Sequence, residues 1–142
     1  MERKVVVVDA SVVVKWFVEE EFSEEARMLR DAYVDRIIDL AAPSLLPYEV
    51  LNALKYSGAF GEEELIEISN TLRDFQITLY ELLGKVAEEA VRIAMRKGVT
   101  IYDASYVSLA HHLNTVLYTA DNKLVRKIDD KERVKHIMEF EL

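Results

Sequence analysis

Four acidic side chains fall where an α/β protein places its functional groups. Asp9 directly follows a run of four valines, and Asp121 comes two residues after the fourth predicted strand. Ligands of α/β proteins bind outside the carboxyl ends of the strands, so both carboxylates share one crevice if the two strands are neighbours. Glu49 and Asp103 complete the set, because each interrupts an otherwise apolar helical pattern. The spacing therefore predicts an acidic crevice at one edge of a sheet.

A cluster of carboxylates is costly unless a cation neutralises it. Two carboxylates about 4 Å apart repel each other by roughly 4 kcal/mol at an effective dielectric constant of about 20. Sites with only oxygen ligands favour hard cations such as Mg²⁺ or Mn²⁺. One or two such ions activate water and stabilise the transition state of phosphodiester hydrolysis. We therefore interpret Asp9, Glu49, Asp103 and Asp121 as candidate metal ligands and catalytic residues.

Each acid also has a local structural explanation. Asp9 could end its strand and cap the following turn. Asp103 and Asp121 are both credible helix N-caps. Glu49 is compatible with a solvent-facing position on its helix. The four acids carry weight as a set, because all of them fall at the same predicted edge.

The elements that must position these acids alternate between strand and helix. Ser11 and Ser23 are predicted helix N-caps, and Gly58 and Gly98 are predicted left-handed helix ends. The alternation predicts an α/β fold with a mostly parallel sheet covered by helices on both faces. With four Gly, two Pro and no visible linker, we expect residues 1–142 to form a single domain. Apolar runs predict strands over 5–8, 40–42, 77–80, 115–119 and 134–138, and helical spacing predicts helices over 11–17, from 23, over 44–58, 62–75, 82–97, 102–113 and 122–128.

Composition narrows the class of protein further. The chain has 142 residues, of which 51% are hydrophobic and 31% charged, as in a folded domain. No uncharged apolar run approaches the roughly 18 residues of a membrane span, and the N-terminus is too short for a secretory signal. We therefore expect a cytoplasmic protein with no membrane segment. The lack of cysteine and of a G-x-S-x-G motif leaves covalent catalysis without support.

The charge balance argues against nucleic acid at long range, because the formal net charge is −8. The segment 123–135 departs from this balance, with six basic and three acidic side chains directly after Asp121. Such a segment can guide a phosphate backbone past the acids, although a solvated helix face is equally consistent with it. Lys15 is either a phosphate contact or an ordinary surface lysine. The candidate RNA-binding residues are thus Lys15, Lys123, Arg126 and Lys127.

Other residues that attract a functional interpretation have simpler explanations. His111 and His112 are adjacent, so they point to different faces, and they fall near a helix C-terminus, where histidine suits the helix dipole. We do not interpret them as a metal site. Trp16 is expected in the core, and His136 falls in the last predicted strand without a functional signal.

Four segments together resemble a known family. They are VDASVVVKWF beginning at Val8, PYEVLNA at Pro47, YDASYVSLA at Tyr102 and LYTADNKL at Leu117. In this order and at this spacing they resemble PIN-domain ribonucleases, and most closely the VapC-type toxins of toxin–antitoxin pairs. Each segment alone is a weak signal, but the resemblance extends over essentially the whole chain.

The resemblance implies a function and a set of partners. It implies an endoribonuclease that hydrolyses RNA with Mg²⁺ or Mn²⁺, a five-stranded parallel sheet, a homodimer, and inhibition by a small antitoxin protein. It assigns the metal to Asp9, Glu49, Asp103 and Asp121, places supporting hydroxyls at Ser11 and Thr119, and puts Asn122 beside the last acid.

Two other classes of protein stay open from the residues themselves. One is a receiver-like or scaffold domain that binds a cation or a partner without turnover. The other is a haloacid-dehalogenase-like phosphatase, which is disfavoured because Ser11 stands where those enzymes carry a second aspartate.

Overall fold

The computed structural model describes residues 3–142 and contains one sheet of five strands. The strand order is β3-β2-β1-β4-β5, and every neighbouring pair is parallel. This confirms the predicted α/β class and makes the sheet parallel throughout. The strands are β1 (Lys4–Val8), β2 (Ile38–Pro43), β3 (Thr78–Tyr80), β4 (Leu117–Thr119) and β5 (Val134–His136).

Helices fill every connection between the strands. They are α1 (Ala10–Val13), α2 (Ser23–Val34), α3 (Leu46–Ser57), α4 (Glu62–Phe75), α5 (Gly84–Lys97), α6 (Ile101–His112) and α7 (Asn122–Ile128). From β1 the chain first builds the sheet through β2 to β3, and then returns to add β4 and β5 on the other side of β1. Right-handed crossovers in these opposite directions place helices on both faces of the sheet. The direction reverses between β1 and β4, which is the switch point where such folds bind ligands.

The centre of the sheet is buried on both faces. Val7 and Val8 of β1 have no solvent exposure, as a continuous β-branched run in a parallel sheet predicts. Helix α6 contacts β1, β2 and β4, and all of its residues from 104 to 110 are buried. A helix that is buried on all sides is held rigidly by its neighbours. The residues at the start of α6 therefore have a fixed position relative to the sheet.

The chain between β1 and α2 differs from the predicted helix over 11–17. Helix α1 ends at Val13, and a 3₁₀ turn follows over Val14–Trp16. Asp9, not Ser11, is the N-cap residue, and its carbonyl accepts the N–H groups of Val12 and Val13. The Ser11 hydroxyl is instead turned toward Asp9 and the loop after β4. Trp16 lies in the core as predicted, and its indole N–H donates to the carbonyl of Ala26.

The remaining element ends agree with the predictions to within two residues, and α4 and α7 have the predicted bounds. Ser23 is the first residue of α2, and the N-cap position belongs to Phe22. Gly58 and Gly98 adopt the left-handed conformation after α3 and α5, as predicted. The last strand ends at His136, since Ile137–Glu139 forms a 3₁₀ turn. Within residues 3–142, no helix is both long enough and apolar enough to cross a membrane.

Candidate active site

Asp9 lies at the carboxyl end of β1 and is almost fully buried. The Ser11 hydroxyl donates a hydrogen bond of 2.5 Å to Asp9 Oδ1 and accepts one of 2.8 Å from the Ala120 N–H. Thr119 Oγ1 is 3.4 Å from the same Ser11 hydroxyl. These contacts link the ends of β1 and β4 through the two hydroxyl residues that the resemblance singled out. They fix the carboxylate of Asp9 at the switch point.

The pKa of Asp9 is raised to about 6. Burial is the largest cause, because removing the carboxylate from water disfavours its charged form. The hydrogen bonds from Ser11 and Thr119 act in the opposite direction and do not compensate for the burial. The negative charge of Asp103 raises the pKa further.

Glu49 projects from the first turn of α3 and is half-buried rather than solvent-facing. Its Oε1 accepts a hydrogen bond of 2.7 Å from the Tyr106 hydroxyl on α6. Burial raises the pKa of Glu49, and the hydrogen bond from Tyr106 lowers it. The pKa of Tyr106 is raised, first by burial and then by the charge of Glu49, so Tyr106 stays the proton donor of this pair.

Asp103 lies in the first turn of α6, but it is not the cap of that helix. Thr100 is the N-cap, and its hydroxyl accepts the Asp103 N–H at 3.0 Å. The alternative explanation of Asp103 as an N-cap is therefore wrong, because the N-cap of α6 is Thr100. Burial raises the pKa of Asp103, and the charge of Asp121 raises it further.

Asp121 is the N-cap of α7, as one of the two interpretations predicted. Its Oδ1 accepts the N–H groups of Lys123 and Leu124 at 2.9 and 3.2 Å. Its own N–H donates to Thr119 Oγ1 at 3.1 Å. Because one oxygen serves the cap, the second carboxylate oxygen is left for other partners.

The four predicted acids line one cavity of about 500 Å³ at the carboxyl ends of β1 and β4. Lys15, Glu20 and Tyr106 line the same cavity, which makes five carboxylates around one basic group. The carboxylates offer only oxygen donors, which a hard divalent cation prefers. Such a cation would also offset the burial of the Asp9 charge and the repulsion between Asp103 and Asp121. The donor set therefore fits Mg²⁺ or Mn²⁺. Within the described residues, however, no three His, Asp or Glu side chains are grouped closely enough to hold one ion, so the acids line the cavity as separate groups.

The predicted RNA-binding residues separate into two groups. Lys15 lines the cavity with only 8% of the residue exposed, so the interpretation as an ordinary surface lysine is wrong. Lys123 and Arg126 are exposed on α7 outside the cavity lining, as is Asn122. Lys127 donates from Nζ to the carbonyl of Gly98 at 2.9 Å, where it caps the end of α5. The structure thus places one of the four basic residues among the acids.

Two further cavity residues were missed by the sequence reasoning. Tyr106 follows Asp103 by one helical turn on the same face, but a tyrosine in an apolar helix is expected in the core. Nothing in the spacing of Glu20 indicates the cavity. Its position depends on the 3₁₀ turn after α1, which brings Lys15 beside it.

The histidines lie away from this cavity. His111 Nδ1 is 3.7 Å from Glu89 Oε1, and its Nε2 is 3.7 Å from Asp130 Oδ2. His112 is the last residue of α6, so both residues fall at the helix C-terminus as predicted. His136 is buried in β5 and accepts the Met138 N–H on Nδ1.

Comparison with known proteins gives the same class. The PIN domain family matches residues 6–131 of the chain. The chain is 36% identical over 126 residues to Ribonuclease VapC3 of Pyrobaculum aerophilum, covering 85% of this chain and 92% of the relative. It is 31% identical over 97 residues to Exonuclease VapC9 of the same organism, covering 68% and 73%. A toxin–antitoxin complex from Klebsiella pneumoniae has a chain of the same fold, with a TM-score of 0.70 at 14% identity over 95% of this chain and 99% of that one.

The fold and the family match indicate the same class of protein. The sheet is parallel, and the acids lie at its switch point. The chain belongs to the PIN domain family. Within that family its relatives are VapC proteins, which confirms the resemblance seen in the four sequence segments.

Proposed function

We propose that this protein is a metal-dependent endoribonuclease, acting in the cytoplasm as the toxin of a toxin–antitoxin pair. The observation that carries the proposal is the single cavity lined by Asp9, Glu49, Asp103 and Asp121. Two VapC relatives, one named a ribonuclease and one an exonuclease, support nuclease chemistry at this cavity.

The four acids would hold Mg²⁺ or Mn²⁺, as one or two ions, with water completing the ligand set, because no three of the described side chains are close enough to bind one ion together. When bound, the cation supplies a Lewis acid and an activated water for phosphodiester hydrolysis. Ser11, whose hydroxyl also contacts that of Thr119, fixes the Asp9 carboxylate, and Tyr106 fixes that of Glu49. Asp121 is held by the N-terminus of α7. These hydrogen bonds thus orient the carboxylates before substrate binds.

The RNA backbone requires positive charge close to these acids. Lys15 supplies it inside the cavity, and Lys123 and Arg126 extend it along the exposed side of α7, which begins one residue after Asp121. Lys127 contributes less, because its ammonium already binds the end of α5. Asn122 offers an uncharged hydrogen-bonding group beside Asp121.

The partners follow from the same relatives. A small antitoxin protein is supported by the VapC names and by a structural neighbour solved as a toxin–antitoxin complex. Such a partner would supply basic groups to the acidic cavity. We also propose a homodimer, as the family resemblance implies.

The test is cleavage of labelled single-stranded RNA by the purified protein with Mg²⁺ or Mn²⁺ and with a chelator. We expect cleavage with metal, none with chelator, and recovery when metal is restored. A parallel preparation of Asp9→Asn, which is expected to be inactive, controls for contaminating nucleases. Equal cleavage in chelator, or by the variant, would contradict the proposal.

A further inference from the structure

Lys15 brings a positive charge into the acidic cavity. The 3₁₀ turn Val14–Trp16 places it there, and its side chain is only 11% exposed. A buried ammonium group needs a charged or polar partner to offset the loss of water. That partner is Glu20, whose Oε1 lies 3.1 Å from Lys15 Nζ.

The two members of this ion pair are held differently. The Glu20 side chain is 46% exposed, so its carboxylate is also within reach of water. The Glu20 backbone is anchored, since its N–H donates to the buried Ser23 hydroxyl at 3.0 Å and its carbonyl accepts the Ser23 N–H at 3.1 Å. The carboxylate can therefore rotate away from Lys15 while the loop stays in place.

We propose that Glu20 is an internal competitor for substrate phosphate. It occupies Lys15 in the free protein, and a phosphate of the RNA backbone displaces it. The inference rests on the proposed ribonuclease function and assigns affinity control of that site to Glu20. Phosphate and carboxylate form the same kind of charge-assisted hydrogen bond with an ammonium group, so only one can hold it fully.

Glu19 provides a matched control. It is the neighbouring residue with the same charge, but it pairs with Arg27 at 2.8 Å and does not line the cavity. Glu19→Gln and Glu20→Gln therefore change the net charge equally, and only the second frees Lys15.

The experiment measures KM and kcat for a fluorescently labelled pool of single-stranded RNA of random sequence, with Mn²⁺. Freeing Lys15 from a partly exposed ion pair should lower KM by about two- to five-fold in Glu20→Gln, with kcat nearly unchanged. Glu19→Gln should leave KM unchanged. Lys15→Met should raise KM by about tenfold and reduce the slope of log KM against log salt by about 0.7, the loss of one phosphate contact. In Lys15→Met, adding Glu20→Gln should give no further gain.

The proposal is overturned if Glu20→Gln does not lower KM, if Glu19→Gln lowers it equally, or if the gain persists without Lys15. If Lys15→Met does not fold, the comparison of Glu20→Gln with Glu19→Gln still decides. RNA cleavage by the wild type with an unchanged KM in Glu20→Gln overturns this inference alone. Failure of the wild type to cleave RNA overturns the proposed function as well.

Discussion

At Asp9, burial and hydrogen bonding act on the same carboxylate in opposite directions. Burial raises its pKa, while the hydroxyls of Ser11 and Thr119 favour the charged form. The raised pKa, about 6, shows that burial prevails. Without a cation, a carboxylate in this position binds a proton below about pH 6, and a bound cation would compete with that proton.

This balance predicts a pH dependence of stability in chelator. The folded pKa of Asp9, about 6, exceeds the ordinary aspartate value of 3.8, so protonated Asp9 favours the folded state. That contribution is complete below about pH 4 and is lost as the pH rises through 6, with a loss of about 3 kcal/mol. Asp9→Asn cannot titrate. The free energy of unfolding of Asp9→Asn, relative to that of the wild type, should therefore rise by about 3 kcal/mol between pH 4 and pH 7.

Urea unfolding of both proteins at several pH values, with chelator present, measures this difference. Parallel curves for wild type and Asp9→Asn would show that Asp9 has an ordinary pKa in the folded protein.

The contact between Glu49 and Tyr106 shows which kind of site residue can be recognised in the sequence and which cannot. The two residues are 57 positions apart, and their hydrogen bond exists only because α3 and α6 meet at the cavity. Glu49 was identifiable, since a carboxylate in an apolar helix is conspicuous. Tyr106 was not, because a tyrosine in an apolar helix is expected in the core in any case.

The helices α6 and α7 position their acids by two different devices. Helix α6 is capped by Thr100, so Asp103 is not its N-cap, whereas α7 is capped by Asp121 itself. The sequence contains a signal for the first case, because Thr100 stands three residues before Asp103, and an N-cap threonine accepts the N–H of the residue three positions further on. Either aspartate alone is an equally good cap by type, so only the neighbouring threonine separates them.

The cap at α7 predicts different stabilities for two substitutions of Asp121. Asparagine caps helices about as well as aspartate, whereas alanine cannot accept the N–H groups of Lys123 and Leu124. Both substitutions remove the charge, so their difference isolates the cap. The free energy of unfolding of Asp121→Ala should be about 1 kcal/mol lower than that of Asp121→Asn.

Chemical denaturation of the two variants in chelator measures the difference. Equal stability of Asp121→Ala and Asp121→Asn would show that the cap contributes nothing to α7.

The 3₁₀ turn after α1 is the element that the sequence did not reveal. The residues of this turn are compatible with a continuous helix over 11–17, and the shorter spacing of a 3₁₀ turn leaves no pattern over three residues. The turn nevertheless decides that Lys15 is buried in the cavity beside Glu20. Residues whose role depends on such a turn cannot be located from helical periodicity.

For the whole molecule, the positions of the strands and helices could be predicted from the sequence, because β-branched runs alternate regularly with apolar residues at helical spacing. The order of the strands depends on the reversal of direction at β1, which only the structure shows. The net charge of −8 describes the molecule and not its site. Several acids, such as Glu62–Glu64 at the exposed start of α4, lie outside the cavity, where they suit the helix dipole.

The central claim is that carboxylates in one cavity hold the cation that cleaves RNA, and Asp103→Asn tests it most directly. Asp103 is not the N-cap of α6, so its substitution removes a charge from the cavity and leaves the Thr100 cap in place. The matched control is Asp74→Asn, an exposed position on α4 that pairs with Arg73 outside the cavity. The measurement is the initial rate of RNA cleavage with Mn²⁺. We predict a loss of about 100-fold or more in Asp103→Asn and none in Asp74→Asn, whereas a wild-type rate in Asp103→Asn would contradict the account.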